Sequence, residues 1–269
     1  MASRPMADTP LHAALAGLAF IATLAVLTWL WSLVRRDVSV VDSLWSIFIA
    51  AGGAIYALSL PWTSARPALM LALAAAWALR LSIYITWRNH GKGEDRRYRQ
   101  IRARNQPNFA LKSLYLVFGL QAALAWIVSA PFLAGIVGTN PINALDIVGA
   151  LVAAFGIVFE AIGDQQMANF KADPANQGQV MDRGLWRTTR HPNYFGECCT
   201  WWGLYLIALA AGGAAWSIVS PLLMSVLLLK VSGVRLLEAD IGERRPAYRD
   251  YVARTNAFVP GWPRRKART

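Results

Sequence analysis

Residues Leu11–Arg36 read LHAALAGLAFIATLAVLTWLWSLVRR, an apolar run closed by two arginines, and this stretch decides the fold class. Such a run is long enough to cross the hydrocarbon core of a bilayer as a helix. It is too long for the apolar part of a signal peptide and ends in Trp31-Ser32-Leu33-Val34-Arg35-Arg36 rather than at a small-residue cleavage site, so it reads as a span.

Working outward, the same alternation of long apolar runs and short basic loops continues to the end of the chain. Candidate spans are Leu11–Val34, Ser43–Leu60, Ala68–Trp87, Leu111–Val137, Ala144–Ile162, Phe195–Ala211 and Trp216–Val234. Composition agrees: 56% of the residues are hydrophobic and 16% charged, against about 25% charged in a soluble domain. The expected architecture is all-α, a single seven-helix membrane domain covering residues 1–269.

Basic residues set the orientation. The loops Arg35–Asp42, Arg88–Lys112 and Gly163–Arg190 and the tail from Arg235 hold nearly all the Lys and Arg, whereas the alternate loops hold only Arg66. Loops rich in Lys and Arg stay on the cytoplasmic side. The expectation is therefore an N-terminus outside and a C-terminus in the cytoplasm. Loops 88–112 and 163–194 and the tail 235–269 then share the cytoplasmic face, as in a bacterial inner-membrane protein. This bias, with attraction to anionic lipids, also accounts for the net charge of +12. No zinc finger, basic zipper or base-stacking motif accompanies the charge, which argues against nucleic acid.

Two cysteines, adjacent at Cys198 and Cys199, make neither a zinc site nor a disulfide framework. Three dispersed histidines make a metal site unexpected. Neither G-x-G-x-x-G after a strand nor G-x-x-x-x-G-K-[ST] occurs, and there is no G-x-S-x-G.

Polar side chains gather in the loops assigned to the cytoplasm. Asp42 opens the second span, where a helix cap is the plain reading. Helical spacing puts Arg80, Tyr84, Trp87 and Arg88 on one face, and an arginine inside an apolar run ordinarily lines a cavity or pairs with an acid. Asn89, Arg97 and Tyr98 follow. Glu160, Asp164 and Lys171 share a face of a helix that continues out of the membrane, and two carboxylates so placed need a donor or cation between them. Arg183, Arg187, Arg190 or the hydroxyls of a bound nucleotide can supply it. The densest segment is Arg190-His191-Pro192-Asn193-Tyr194-Phe195-Gly196-Glu197, with Pro192 suited to a helix start. Arg235 and Glu238 are spaced to pair with one another, and Tyr248 and Tyr251 can dock the tail on the bilayer.

The segments Arg80–Tyr98, Glu160–Lys171, Gly184-Leu185-Trp186, Arg190–Glu197 with Trp201-Trp202-Gly203, Ser232–Glu238 and Tyr248–Pro260 resemble the membrane steroid 5-alpha-reductase superfamily, in particular its bacterial branch. The resemblance implies NADPH-dependent reduction of the carbon–carbon double bond of a lipophilic enone such as a 3-oxo-4-ene steroid. A phenol polarises the ketone in such enzymes. It implies Tyr84 as that phenol and Asp42 as its acidic partner. Asn193 and Glu197 match positions near the nicotinamide end, and Asp164 one that contacts the nucleotide. Lys171, Arg183, Arg190 and Arg235 are implied as phosphate partners, and Arg88, Asn89, Arg97, Tyr98, His191, Tyr194, Glu238 and Tyr248 complete the implied cofactor-binding set.

Arg-His-Pro-x-Tyr followed by glycine also resembles integral-membrane methyltransferases of the isoprenylcysteine and phospholipid kind, which use S-adenosylmethionine. The Asn-Tyr-Phe-Gly-Glu extension with the Asp164 and Tyr84 regions favours the reductase. A transporter should carry polar residues in both halves of the membrane, which is not the pattern here. The expected partners are membrane lipids and a lipophilic substrate entering from the bilayer.

Overall fold

A computed structural model describes residues 9–231 and 247–262. These form α1 (Pro10–Arg35), α2 (Val40–Ser59), α3 (Arg66–Asn89), α4 (Arg96–Arg104), α5 (Phe109–Val137), α6 (Ala144–Ala172), α7 (Pro192–Ala210), α8 (Ala215–Val231) and α9 (Ala247–Arg254). No strand occurs among the described residues; one isolated bridge joins Thr189 and Asn256. Five helices (α1, α2, α3, α5 and α6) are long and apolar enough to cross a membrane. The sixth expected run is carried by α7, whose first turns are polar, and the seventh by α8, a shorter apolar helix. Arg235 and Glu238, and the end of the seventh run at Val234, lie outside the described residues.

Local chemistry explains the helix ends. Thr9 caps α1 through its hydroxyl, which accepts from the His12 N–H, and Pro10 follows at the first helical position. Asp95 caps α4 by accepting from the Arg97 N–H. In α5 a π-helical turn at Leu114–Gly119 and Pro131, which has no N–H to give, break up a run of helix that stays continuous in direction of sequence.

The chain resolves into two compact units: residues 1–150 with 204–220, and residues 151–203 with 221–269. In the first, α2 and α5 are the most enclosed, with 44% and 50% of each span buried, while α1 and α3 bury only 28% and 22%. The outward faces carry Leu15, Leu27, Leu30, Leu79 and Ile83, as expected where lipid is the solvent. Small residues let the helices approach: Gly17 faces the Tyr56 ring, Gly52 faces Ile21 and Gly53 faces Phe132. Several polar groups inside are paired, since an unsatisfied donor in hydrocarbon is costly. Tyr56 and Ser129 hydroxyls meet at 2.8 Å, and the Trp29, Trp45 and Trp126 indoles donate to the carbonyls of Ala110, Gln121 and Ala14. Arg66, with no exposed surface, pairs with Asp146 at 2.6 Å.

In the second unit the distal part of α6 crosses α7 at glycines. A Cβ on Gly156 would lie 2.4 Å from the Gly196 carbonyl oxygen, so the two backbones are in direct contact there. About two helical turns further, Gly163 faces Pro192. The short helix Gly184–Arg187 rests on α6 through the Trp186 indole, which donates to the Gly163 carbonyl at 3.0 Å, and the Leu185 N–H, which donates to the Gln166 side chain at 2.9 Å.

Candidate functional site

The residues singled out from the sequence divide between the two units, and each unit holds its own polar cluster. In the first unit the stripe on α3 forms as its spacing requires. Tyr84 is half-buried, its ring 6.1 Å from that of Trp87, with the Arg88 guanidinium 5.7 Å over it. Arg88 is exposed and donates from Nε to the Asn89 side chain at 3.2 Å.

Asp42, in the first turn of α2, binds the N-terminal part of α4. Its Oδ2 takes the Arg97 guanidinium at 2.7 Å, and its Oδ1 accepts from the Tyr98 hydroxyl at 2.6 Å. The phenol shown on Asp42 is thus that of Tyr98, a pairing across 56 residues that helical spacing has no means to indicate. Tyr98 is buried, and burial, followed by the Asp42 carboxylate, pushes its hydroxyl well above the ordinary phenol range. Burial opposes charge on Arg97, but Asp42 and Asp95 outweigh it and raise its pKa, so it stays a cation.

A second link ties the same loop to the turn before α2. Glu94 takes Arg102 through both oxygens, at 2.7 and 2.9 Å, and accepts the Val38 N–H at 3.0 Å. Burial pushes its carboxyl up, yet these donors prevail and hold it below its ordinary 4.5. A carboxyl depressed on folding stabilises above the unfolded pKa and loses that contribution as pH falls through the folded one. Glu94→Gln should therefore melt lower than wild type at pH 7, by the equivalent of about 1 kcal/mol given that Arg102 is partly exposed. The gap should close as pH falls below about 4.5. Melting curves across that range check it; a gap that widens in acid would reverse the assignment.

The second unit carries the denser cluster. Glu160 and Asp164 on α6 and Glu197 on α7 are 2%, 5% and 8% exposed, and His191, just before α7, is 4% exposed. Gly196 lies against Glu160 N at the helix crossing, so the glycine of the motif is a contact residue. His191 stacks on Tyr194 with ring centroids 5.6 Å apart and planes 4° from parallel. The backbone N–H of His191 donates to the Thr189 hydroxyl at 3.3 Å. Asn193 and Tyr194 are half-buried on the first turn of α7. Lys171 and Arg183 are exposed, the placement a soluble anion requires of its cations.

Arg190 has a different surrounding from those two cations. It is buried, and its Nη1 donates to the carbonyls of Thr255 at 2.6 Å and Val252 at 3.3 Å, closing the C-terminal end of α9 where a cation is favoured. Its backbone N–H donates to the Asn256 carbonyl at 2.9 Å. The Tyr251 hydroxyl donates to the Trp186 carbonyl, and Tyr248, also buried, meets the Tyr251 ring edge-on at 5.4 Å. The tail tyrosines are thus inside the unit, where the sequence pattern had suggested docking on the bilayer. Thr189, just before the motif, and Arg190, its first residue, hold residues 252–258 through backbone carbonyls.

The arrangement offers two chemistries. Buried carboxylates on two touching helices accept hydrogen bonds from amide, hydroxyl or ammonium donors in a place that excludes water. A phenol bound to a carboxylate beside a guanidinium holds a proton at a defined atom.

An uncharacterized protein of the fission yeast Schizosaccharomyces pombe is 26% identical over 261 aligned residues, covering 86% of this chain and 75% of the yeast protein. No solved structure matches the chain. The family model described as a protein of unknown function, DUF1295, matches residues 28–255, and the chain belongs to that family.

Proposed function

We propose that the protein is an NADPH-dependent oxidoreductase that reduces the carbon–carbon double bond of a lipophilic enone, such as a 3-oxo-4-ene steroid. The observation that carries this reading is the set of buried carboxylates Glu160, Asp164 and Glu197 beside His191, on helices whose backbones touch. Buried carboxylates accept hydrogen bonds strongly from donors brought to them. The carboxamide and ribose hydroxyls of a nicotinamide dinucleotide are such donors, and exposed Lys171 and Arg183 suit its phosphates. The donor set therefore fits the cofactor. The relation of the family to membrane proteins of the steroid 5-alpha-reductase type supports the same choice.

NADPH, when bound, supplies the hydride for the carbon beta to the ketone. The chain's own part is to seat the dinucleotide, exclude water and hold a proton where negative charge develops on the ketone oxygen. Tyr84 is the proposed donor, with Arg88 over its ring favouring charge nearby, and Asp42 is the proposed acid of the same reaction. In this reading the chain crosses the membrane seven times, α7 and α8 being the last two spans. The N-terminus is outside and both polar clusters open to the cytoplasm, in a bacterial host across the inner membrane.

A second reading, transfer of a methyl group from S-adenosylmethionine, is favoured by the stacked His191 and Tyr194, the part of the motif shared with membrane methyltransferases. Thermal shift of the detergent-purified protein with NADPH, NADH and S-adenosylmethionine separates the two. Stabilisation by NADPH is expected, about 2.7 kcal/mol at a hundredfold excess over Kd. A response to S-adenosylmethionine alone sinks the reductase. Tyr84→Phe should then keep the NADPH shift and lose roughly 100-fold or more in enone turnover. Undiminished turnover would move the donor role elsewhere, with Tyr98→Phe the next variant to measure.

A further inference from the structure

Four of the five helices long enough to cross a membrane have an end at α4. Arg102 donates to the carbonyl of Arg36, the residue that closes α1, at 3.5 Å. Arg97 and Tyr98 bind Asp42 in the first turn of α2. α3 leads into α4 from Asn89. α5 starts against it, with the Arg102 guanidinium 4.7 Å over the Phe109 ring and Lys112 donating to the Asn105 carbonyl at 3.2 Å. α4 therefore lies at the membrane face where these four helices end. Trp87 in the last turn of α3 and Tyr115 in the second turn of α5 are each 62% exposed, near the depth at which aromatic side chains collect between hydrocarbon and headgroups.

The charges of this face are sorted by sign. Between Arg35 and Lys112 the acids are Asp37, Asp42, Glu94 and Asp95. None of the four is exposed, and each is engaged. Arg97 and Tyr98 hold Asp42, Arg102 and the Val38 N–H hold Glu94, Arg97 also holds Asp95, and Ser39 donates to Asp37. These contacts turn Tyr98 and Arg102 of α4 inward. Helical geometry then puts Arg96, Arg99 and Arg104 on its opposite face, where all three are exposed. Arg35, Arg36 and Lys92, on the segments joined to it, are exposed as well. A surface with its carboxylates turned in and its cations turned out, at headgroup depth, selects anionic phosphodiesters. We propose that the outer face of α4, together with Arg35, Arg36 and Lys92, binds the headgroups of anionic phospholipid. A soluble phosphate offers the same charge, but only the lipid is held at this depth. These six cations lie outside the set assigned to the dinucleotide, so the proposal is independent of the reaction proposed above.

The test titrates the full-length, detergent-purified protein with phosphatidylglycerol or phosphatidylcholine and counts bound lipid by native mass spectrometry. Phosphatidylglycerol should bind the more tightly. Arg99→Gln should weaken that binding roughly five-fold, whereas Arg249→Gln, at an exposed cation of α9, should leave it unchanged. The triple change Arg96→Gln, Arg99→Gln, Arg104→Gln should erase the preference over phosphatidylcholine while the melting temperature stays at the wild-type value. Equal binding of the two lipids by the wild-type protein overturns the proposal. An equal loss in Arg99→Gln and Arg249→Gln overturns it as well, because the effect would then be one of net charge and not of a site. Inorganic pyrophosphate supplies the soluble comparison. Pyrophosphate binding that is lost in the triple variant, with phosphatidylglycerol binding intact, would assign the cations to a soluble phosphate and overturn it too.

Discussion

Asp146→Ala is expected to destabilise the protein by about 3–5 kcal/mol, the range for leaving one member of a buried ion pair alone. Arg66 has no exposed surface and donates to Asp146 through Nε at 2.6 Å and Nη2 at 2.9 Å. The remaining donors go to the carbonyls of Asn140 at 2.9 Å and Pro141 at 3.1 Å, and Asp146 also accepts the Asn143 N–H at 2.9 Å. Removing the carboxylate leaves a guanidinium that can neither reach water nor shed its proton. Removing both charges, as in Arg66→Met with Asp146→Leu, should recover most of the loss, because the desolvation cost disappears with the attraction. Melting temperatures of the two single variants and the double variant in detergent complete the cycle. An Asp146→Ala protein that melts with wild type would show that the pair is dispensable. The same pair explains why one base occurs in loops otherwise devoid of them: Arg66 is neutralised within the fold.

Gly196→Ala is the second large effect, because the added Cβ would sit 2.6 Å from both Glu160 N and the Gly156 carbonyl oxygen. Those are backbone atoms, so relief requires α6 and α7 to separate. Overpacking costs typically about 1–3 kcal/mol and more where backbone must move. Separation also moves the helix of Glu197 relative to that of Glu160 and Asp164, so the stabilisation by NADPH expected under the proposed function should fall along with the melting temperature. Gly163→Ala is the built-in comparison: its Cβ meets the Pro192 ring and Asn193 N at 3.2–3.3 Å, a tightness that a few tenths of an ångström relieves. The expected order is a severe effect at Gly196 and a mild one at Gly163. Equal melting of Gly196→Ala and wild type would mean that the helices do not cross at this point.

These two sites show where sequence reading stopped. Arg66 stood out by its loop, but its partner Asp146 is 80 residues away and sits in a run that reads as plain apolar helix. Gly196 stood inside a polar motif and looked like part of its chemistry, whereas its requirement comes from Gly156 on another helix. Arg190 likewise carried the right charge for a phosphate, yet in the structure it closes the end of α9. Its partners are carbonyls, which no side-chain pattern advertises. Asp42 illustrates the same boundary: the cap reading fails, since Ser39 holds the N-cap of α2 and the Asp42 carboxylate, within the first turn, goes to Arg97 and Tyr98.

What the sequence determined by itself is the part governed by local transfer energies and spacing. Long uncharged runs require helices, because a backbone in hydrocarbon must satisfy itself. Successive turns then put Arg80, Tyr84 and Arg88 on one face, and Glu160 and Asp164 on another. The tertiary structure decided which charges meet, which glycines are contacts, and which tail residues are held inside or left out, as Tyr251 and Trp262 are. Those outcomes depend on distances between residues far apart in the chain, set by how closely helices pack. Hydropathy and helical periodicity contain no term for that.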